Sequence, residues 1–228
     1  MPLPIYLAMT AAEFRKNPDI SAGMAWMACH FSPYGTGLSN CPAHLPPGSM
    51  LILNDRTPVY GHDPMRIADQ LLELTEQFGC SRVLLDLQRP EDELTSQIVK
   101  TILQALPCPV SVSEAYAGDV DCPVFLPPIP LLQEPESYLM PWKHREVWLE
   151  LAQDSACYTI TEAGCQWAEC PAFGPYPLED AALCCRYRIE TTDHDLQFYL
   201  KRDTKRLVQT LENMSNITCL IGLYQELG

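Results

Sequence analysis

The stretch SRVLLDLQRP, residues 81–90, puts an acid at the end of an apolar run. Val83, Leu84 and Leu85 lead to Asp86, and Gln88 and Arg89 follow around Leu87 before Pro90 halts the pattern. A buried strand that opens into polar residues has the form of a working edge. A carboxylate such as Asp86 can orient a substrate or exchange a proton. Gln88 can donate and accept hydrogen bonds but has no acidic hydrogen. Glu114, in PVSVSEAY (109–116), and Glu226, in ITCLIGLYQEL (217–227), also stand at the ends of apolar runs. Either could join Asp86 as an acid/base pair, or could pair with Arg56 or Arg89 at the rim.

Such groups need a frame that brings strand ends together. Eight short apolar runs recur: PIYLAMT (4–10), AWMACHFS (25–32), SMLILND (49–55), RVLLDLQ (82–88), PVSVSEAY, PVFLPPI (123–129), EVWLELA (146–152) and ITCLIGLYQEL. Near-continuous apolar character marks strands buried on both faces, as in parallel sheets. The helix DPMRIADQLLELTEQFG has Asp63 as N-cap, Pro64 at its first turn and Gly79 at its end. A second helix follows Pro90, with Leu94, Ile98, Thr101 or Ile102, and Ala105 as its buried stripe, and a third, 203–214, starts from Asp203. Alternation of strand and helix makes the sheet parallel, and eight strands predict a TIM-type (β/α)8 barrel.

The barrel is expected to be short and incomplete. Only AGDVDC separates the fifth and sixth runs, too little for a crossover helix, and prolines crowd 123–135. The chain, at 228 residues, is read as a single domain spanning 1–228. Within it, CYTITEAGCQWAE and CCRYRIETTDHDLQFYL predict a small antiparallel insertion over 153–200, between strands 7 and 8, with turns at Ala163-Gly164 and Asp193-His194-Asp195.

Active sites of such barrels form at the C-terminal ends of the strands. That end gathers His30, Tyr34, Asn54, Asp55, Arg56, Gln88, Arg89, Tyr116, Tyr224 and Gln225 as binding candidates, beside Asp86, Glu114 and Glu226 as catalytic ones. Trp142 and Trp148 could line a cleft, but core packing is their default role. Gly35-Thr36-Gly37 lacks the third glycine and the helix of a nucleotide loop.

The balance of the chain excludes several classes. Fifteen Lys and Arg against 29 acids, a net charge of −14, disfavour nucleic acid and anionic membranes as partners. No apolar run reaches the roughly 18 residues of a membrane span, and the N-terminus lacks the form of a signal sequence. Eleven cysteines without a C-x-x-C point to reduced thiols in a cytoplasm, with no metal site and no cofactor.

The order of parts resembles family 18 glycoside hydrolases, in particular compact bacterial members that act on peptidoglycan or chitin-like sugars. The matching stretches are LLDLQ (84–88), YTITEAG (158–164), LQFYLKRDTKRLVQTLENM (196–214) and IGLYQELG (221–228). In that family the fourth strand carries D-x-x-D-x-D-x-E, whose glutamate protonates the glycosidic oxygen. Its preceding aspartate orients the N-acetyl group of the substrate as internal nucleophile. Laid on this sequence, those positions are Ser81, Leu84, Asp86 and Gln88, so only Asp86 is kept. Tyr224 falls where the family has a tryptophan floor under the sugar.

The resemblance therefore implies an impaired relative that binds an amino-sugar oligosaccharide or wall fragment. Two alternatives stay open: an active glycosidase using Asp86 with Glu114 or Glu226, and a non-catalytic interaction protein with a vestigial mouth.

Overall fold

The apolar runs become strands in chain order. They are β1 (Ile5–Met9), β2 (Met24–Phe31), the two-residue β3 (Leu38–Ser39), β4 (Met50–Asn54), β5 (Arg82–Asp86), β6 (Val110–Ser113), β7 (Val124–Leu126) and β8 (Val147–Leu151). Then come β9 (Ser155–Thr161), β10 (Gly164–Glu169), β11 (Leu178–Asp180), β12 (Cys185–Thr191), β13 (Leu196–Arg202) and β14 (Ile217–Leu223). This computed structural model describes residues 2–17, 23–118, 120–162, 164–170, 174–191 and 195–227. The turns expected at Ala163-Gly164 and Asp193-His194-Asp195 fall partly outside these residues.

The sheet runs β1-β14-β8-β7-β6-β5-β4-β2, and β1 pairs with both β14 and β2. The ring is a closed barrel of eight parallel strands in the α/β class, consistent with a TIM-like barrel. β3 folds back antiparallel on the end of β2. By contacts the chain divides into two compact units. The first, Met1–Pro127 with His144–Glu150 and Asn216–Gly228, carries the barrel. The second, Pro128–Lys143 with Leu151–Ser215, carries an antiparallel sheet ordered β10-β9-β13-β12-β11. Leu131, Ala156, Cys185 and Leu200 form its buried core.

Inside the barrel, alternate residues of each strand point to the axis. Tyr6 and Ala8 of β1, Met50 and Ile52 of β4, Leu84 of β5, Phe125 of β7, Trp148 of β8, and Cys219 and Ile221 of β14 pack as one cluster. Trp148 is wholly buried, with the Arg82 guanidinium 5.3 Å from its ring, so it belongs to the core. The intervening residues, such as Leu51, Leu53, Val83 and Leu85, are buried on the outer face. Burial on both sides is why the runs are continuously apolar.

Helices cover part of that outer face. α1 (Ala11–Lys16) starts from a capping box in which Thr10 and Glu13 satisfy each other's backbone N–H groups. α2 (Pro64–Phe78) is capped by the Asp63 side chain and closed by Gly79 at φ 60°, and it buries Ile67, Leu71 and Phe78. α3 (Glu93–Ala105) is capped by Asp92, two residues past Pro90, and buries Thr95, Ile98, Val99 and Ile102. Thr95 is buried where Leu94 was expected, since the stripe runs Thr95, Ile98, Val99 and Ile102, and its hydroxyl is satisfied by Asp92 Oδ2 at 2.6 Å. Among the described residues the first unit also holds α6 (Tyr224–Leu227), and the second unit holds α4 (Pro135–Leu139) and α5 (Thr204–Leu211).

Between β6 and β7 the described residues form only one 3-10 turn, Glu114–Tyr116. Arg145 takes the place of a covering helix there. Its guanidinium donates to the carbonyls of Ala117, Val120 (2.7 Å) and Cys122 (2.8 Å), three acceptors that a helix would have paired internally.

Candidate functional site at the barrel mouth

Strand parity carries the inward positions past the apolar layer. Two residues beyond Ile52, Leu84 and Trp148 stand Asn54, Asp86 and Glu150. All three line a cavity of ≈ 550 Å³ whose walls also include Thr10, His30, Asp55 and Gln88. Its floor is the apolar layer of Ala8, Ile52, Leu84, Phe125 and Ile221. A polar mouth above a packed apolar layer is how barrel enzymes place their sites.

His30 reaches this mouth through a bulge. β2 and β4 keep register at Trp26↔Leu51 and resume at Cys29↔Leu53, so β2 spends one extra residue. That switches its parity, and His30, opposite Asn54, faces the cavity while Cys29 and Phe31 turn to the buried outer side. Asn40 Nδ2 donates to His30 Nε2 at 2.9 Å. The ring hydrogen then sits on Nδ1 and donates to Phe31 O at 2.9 Å.

Asp55 is buried and acts as a staple. Its Oδ1 accepts from Gln88 N at 3.1 Å and its Oδ2 from Arg89 N at 2.8 Å. Arg89 returns a bond from Nε to Asp55 O at 2.9 Å. Tyr116 holds the same loop from the other side, its hydroxyl donating to Pro90 O at 3.1 Å. Gln88 is thereby fixed beside Asp86, and its Nε2 donates to Asp86 Oδ1 at 3.3 Å. Burial pushes the Asp86 carboxyl above its ordinary value, the nearby Asp55 charge adds to that, and the Gln88 amide opposes it.

Of the residues expected at the site, the structure brings Asp86, Gln88, His30, Asn54, Asp55 and Arg56 to one cavity. Arg89 and Tyr116 stand outside its lining and support it through the loop. Glu114 begins the 3-10 turn after β6, and Tyr34 sits 85% exposed at a loop tip; neither lines the cavity. Tyr224, Gln225 and Glu226 belong to α6, because β14 ends at Leu223, and the strand contributes Ile221, Gly222 and Leu223 to the wall instead.

Glu150 is the lining carboxylate that the sequence analysis misses. Its signal is present: once Trp148 is placed in the core, the residue two further along must face the mouth.

Among the described residues no group of three or more His, Cys, Asp or Glu is arranged to hold a metal ion. No helix among them is long and apolar enough to cross a membrane. Comparison with protein families, with characterised proteins and with solved structures gives no match for this chain.

Proposed function

We propose that the barrel mouth binds a neutral or cationic polyhydroxylated ligand of the amino-sugar type, as an impaired relative of family 18 glycoside hydrolases. The observation that carries this is the pair formed by Asp86 and Gln88. They stand side by side on the cavity wall, an orienting carboxylate next to an amide where the resemblance expects a proton donor. Asn54, His30 and Arg56 add donors and acceptors around them, and the apolar floor suits the C–H face of a sugar ring. Asp55, Asp86 and Glu150 outnumber the one lining arginine, Arg56, so anionic ligands are disfavoured. General acid catalysis contributes about 10²–10⁴-fold, and a glutamine at 88 forfeits that share.

One observation favours a second reading. Glu150 lines the same cavity as Asp86, which favours it over Glu114 and Glu226 as the partner for acid/base chemistry. Incubation with chitooligosaccharides and their deacetylated forms decides between the two. Saturable binding without product supports the impaired barrel. Product formation that disappears in Glu150→Gln supports the hydrolase. Neither binding nor product would leave an interaction protein with a vestigial mouth.

A further inference from the structure

Cys29 and Cys41 stand apart from the other cysteines of the barrel. Their sulfur atoms lie 3.9 Å apart, one on β2 and one just beyond the β2–β3 hairpin. Cys29 is fully buried and Cys41 is exposed. A disulfide needs its sulfurs at about 2.0 Å, so closure asks for a movement of about 2 Å at the chain end of a hairpin. The residue between hairpin and thiol is Asn40, held at φ 54°. Its side chain donates to His30 Nε2, and its carbonyl accepts from Trp26 Nε1 at 3.0 Å. The two thiols are therefore joined to the wall of the mouth through one residue.

We propose that Cys29 and Cys41 are a peroxide-oxidisable dithiol whose disulfide fastens the β2–β3 hairpin and moves Asn40 against His30. The accessible sulfur reacts first. The Cys41 thiolate attacks one peroxide oxygen, forming an S–O bond while the O–O bond breaks and hydroxide leaves as water. Cys29 then attacks the sulfenic sulfur as the thiolate, its proton passing to the departing hydroxide. The S–S bond forms, the S–O bond breaks, and the thiol proton leaves with the hydroxide as a second water.

The thiol chemistry fits this order. The hydrogen bond from Cys29 holds the Cys41 thiol below the usual thiol range, and the same pairing with burial pushes Cys29 well above it. Elsewhere burial pushes Cys80 up to about 11 and Cys219 up to about 12, which keeps those thiols unreactive. The dithiol belongs to the wall of the mouth and its oxidation does not depend on what the mouth holds.

The test treats the full chain with hydrogen peroxide and follows two readouts, peptide mapping and the His30 ring resonances assigned by their loss in His30→Gln. The expected result is a Cys29–Cys41 linked peptide lighter by two hydrogens, reversed by dithiothreitol, with the His30 resonances displaced in step. In Cys41→Ser, an exposed substitution, both changes should be absent. Over-oxidation of Cys41 without the link, prior cross-linking of another pair, or a link that leaves His30 unmoved would overturn it.

Discussion

Asp55 Oδ1 accepts the amide hydrogen of Gln88 at 3.1 Å, so the residue beside Asp86 is set by a buried carboxylate and not by its own side chain. Removing that acceptor strands the N–H groups of both Gln88 and Arg89. Asp55→Ala is expected to cost about 2–4 kcal/mol, because it removes two part-buried bonds to a charged acceptor, each worth about 1.5–3 kcal/mol before water replaces part of it. Urea unfolding followed by tryptophan fluorescence checks this, and an unchanged midpoint would refute the staple.

Asp86 gives the mouth a pH signature. Its carboxyl is raised in the folded chain by burial and by the Asp55 charge, so the folded state holds the proton more tightly than the unfolded one. The contribution of this group to stability is full below the ordinary carboxylate range and is lost as pH rises through the raised value. Asp86→Asn removes the loss. The variant should be more stable than the parent above that window and converge with it below, in urea midpoints compared over roughly pH 3–7.

The eight barrel strands were legible because burial on both faces leaves continuous apolar runs, and α2 because Asp63, Pro64 and Gly79 mark its two ends. The mouth was legible in part. Asn54 and Asp86 end their strands and Gln88 lies two residues further on, so their place could be counted. The bulge in β2 was not, since one extra residue in an apolar run leaves no trace in its pattern. Asp55 was read as a ligand contact because sequence shows a rim carboxylate but not the two N–H groups it holds. Tyr224 and Glu226 were counted on a strand that continues as α6, a change of period that four residues are too few to display.

Arg145 should be essential to the thin side of the barrel. Arg145→Ala removes three charge-assisted bonds to the carbonyls that link β6 and β7, an expected loss of about 2–4 kcal/mol. Lysine lacks the fork that reaches several carbonyls at once, so Arg145→Lys should recover less than half of it. Thermal melting of both variants checks this, and full recovery by lysine would show that charge alone suffices.

Gln88→Glu would return an acidic hydrogen to the place beside Asp86. If the missing donor is what silences the mouth, this variant should cleave chitooligosaccharides about 10²-fold or more above the parent. Reducing-end assays with the two proteins side by side give the answer.

The most direct test of the central claim is calorimetric titration of chitooligosaccharides and their deacetylated forms into the parent chain and into Asp86→Ala. Saturable one-to-one binding is expected of the parent, weakened at least tenfold, or about 1.4 kcal/mol, in the variant. Binding of equal strength by both proteins, or heat of dilution alone from the parent, would contradict it.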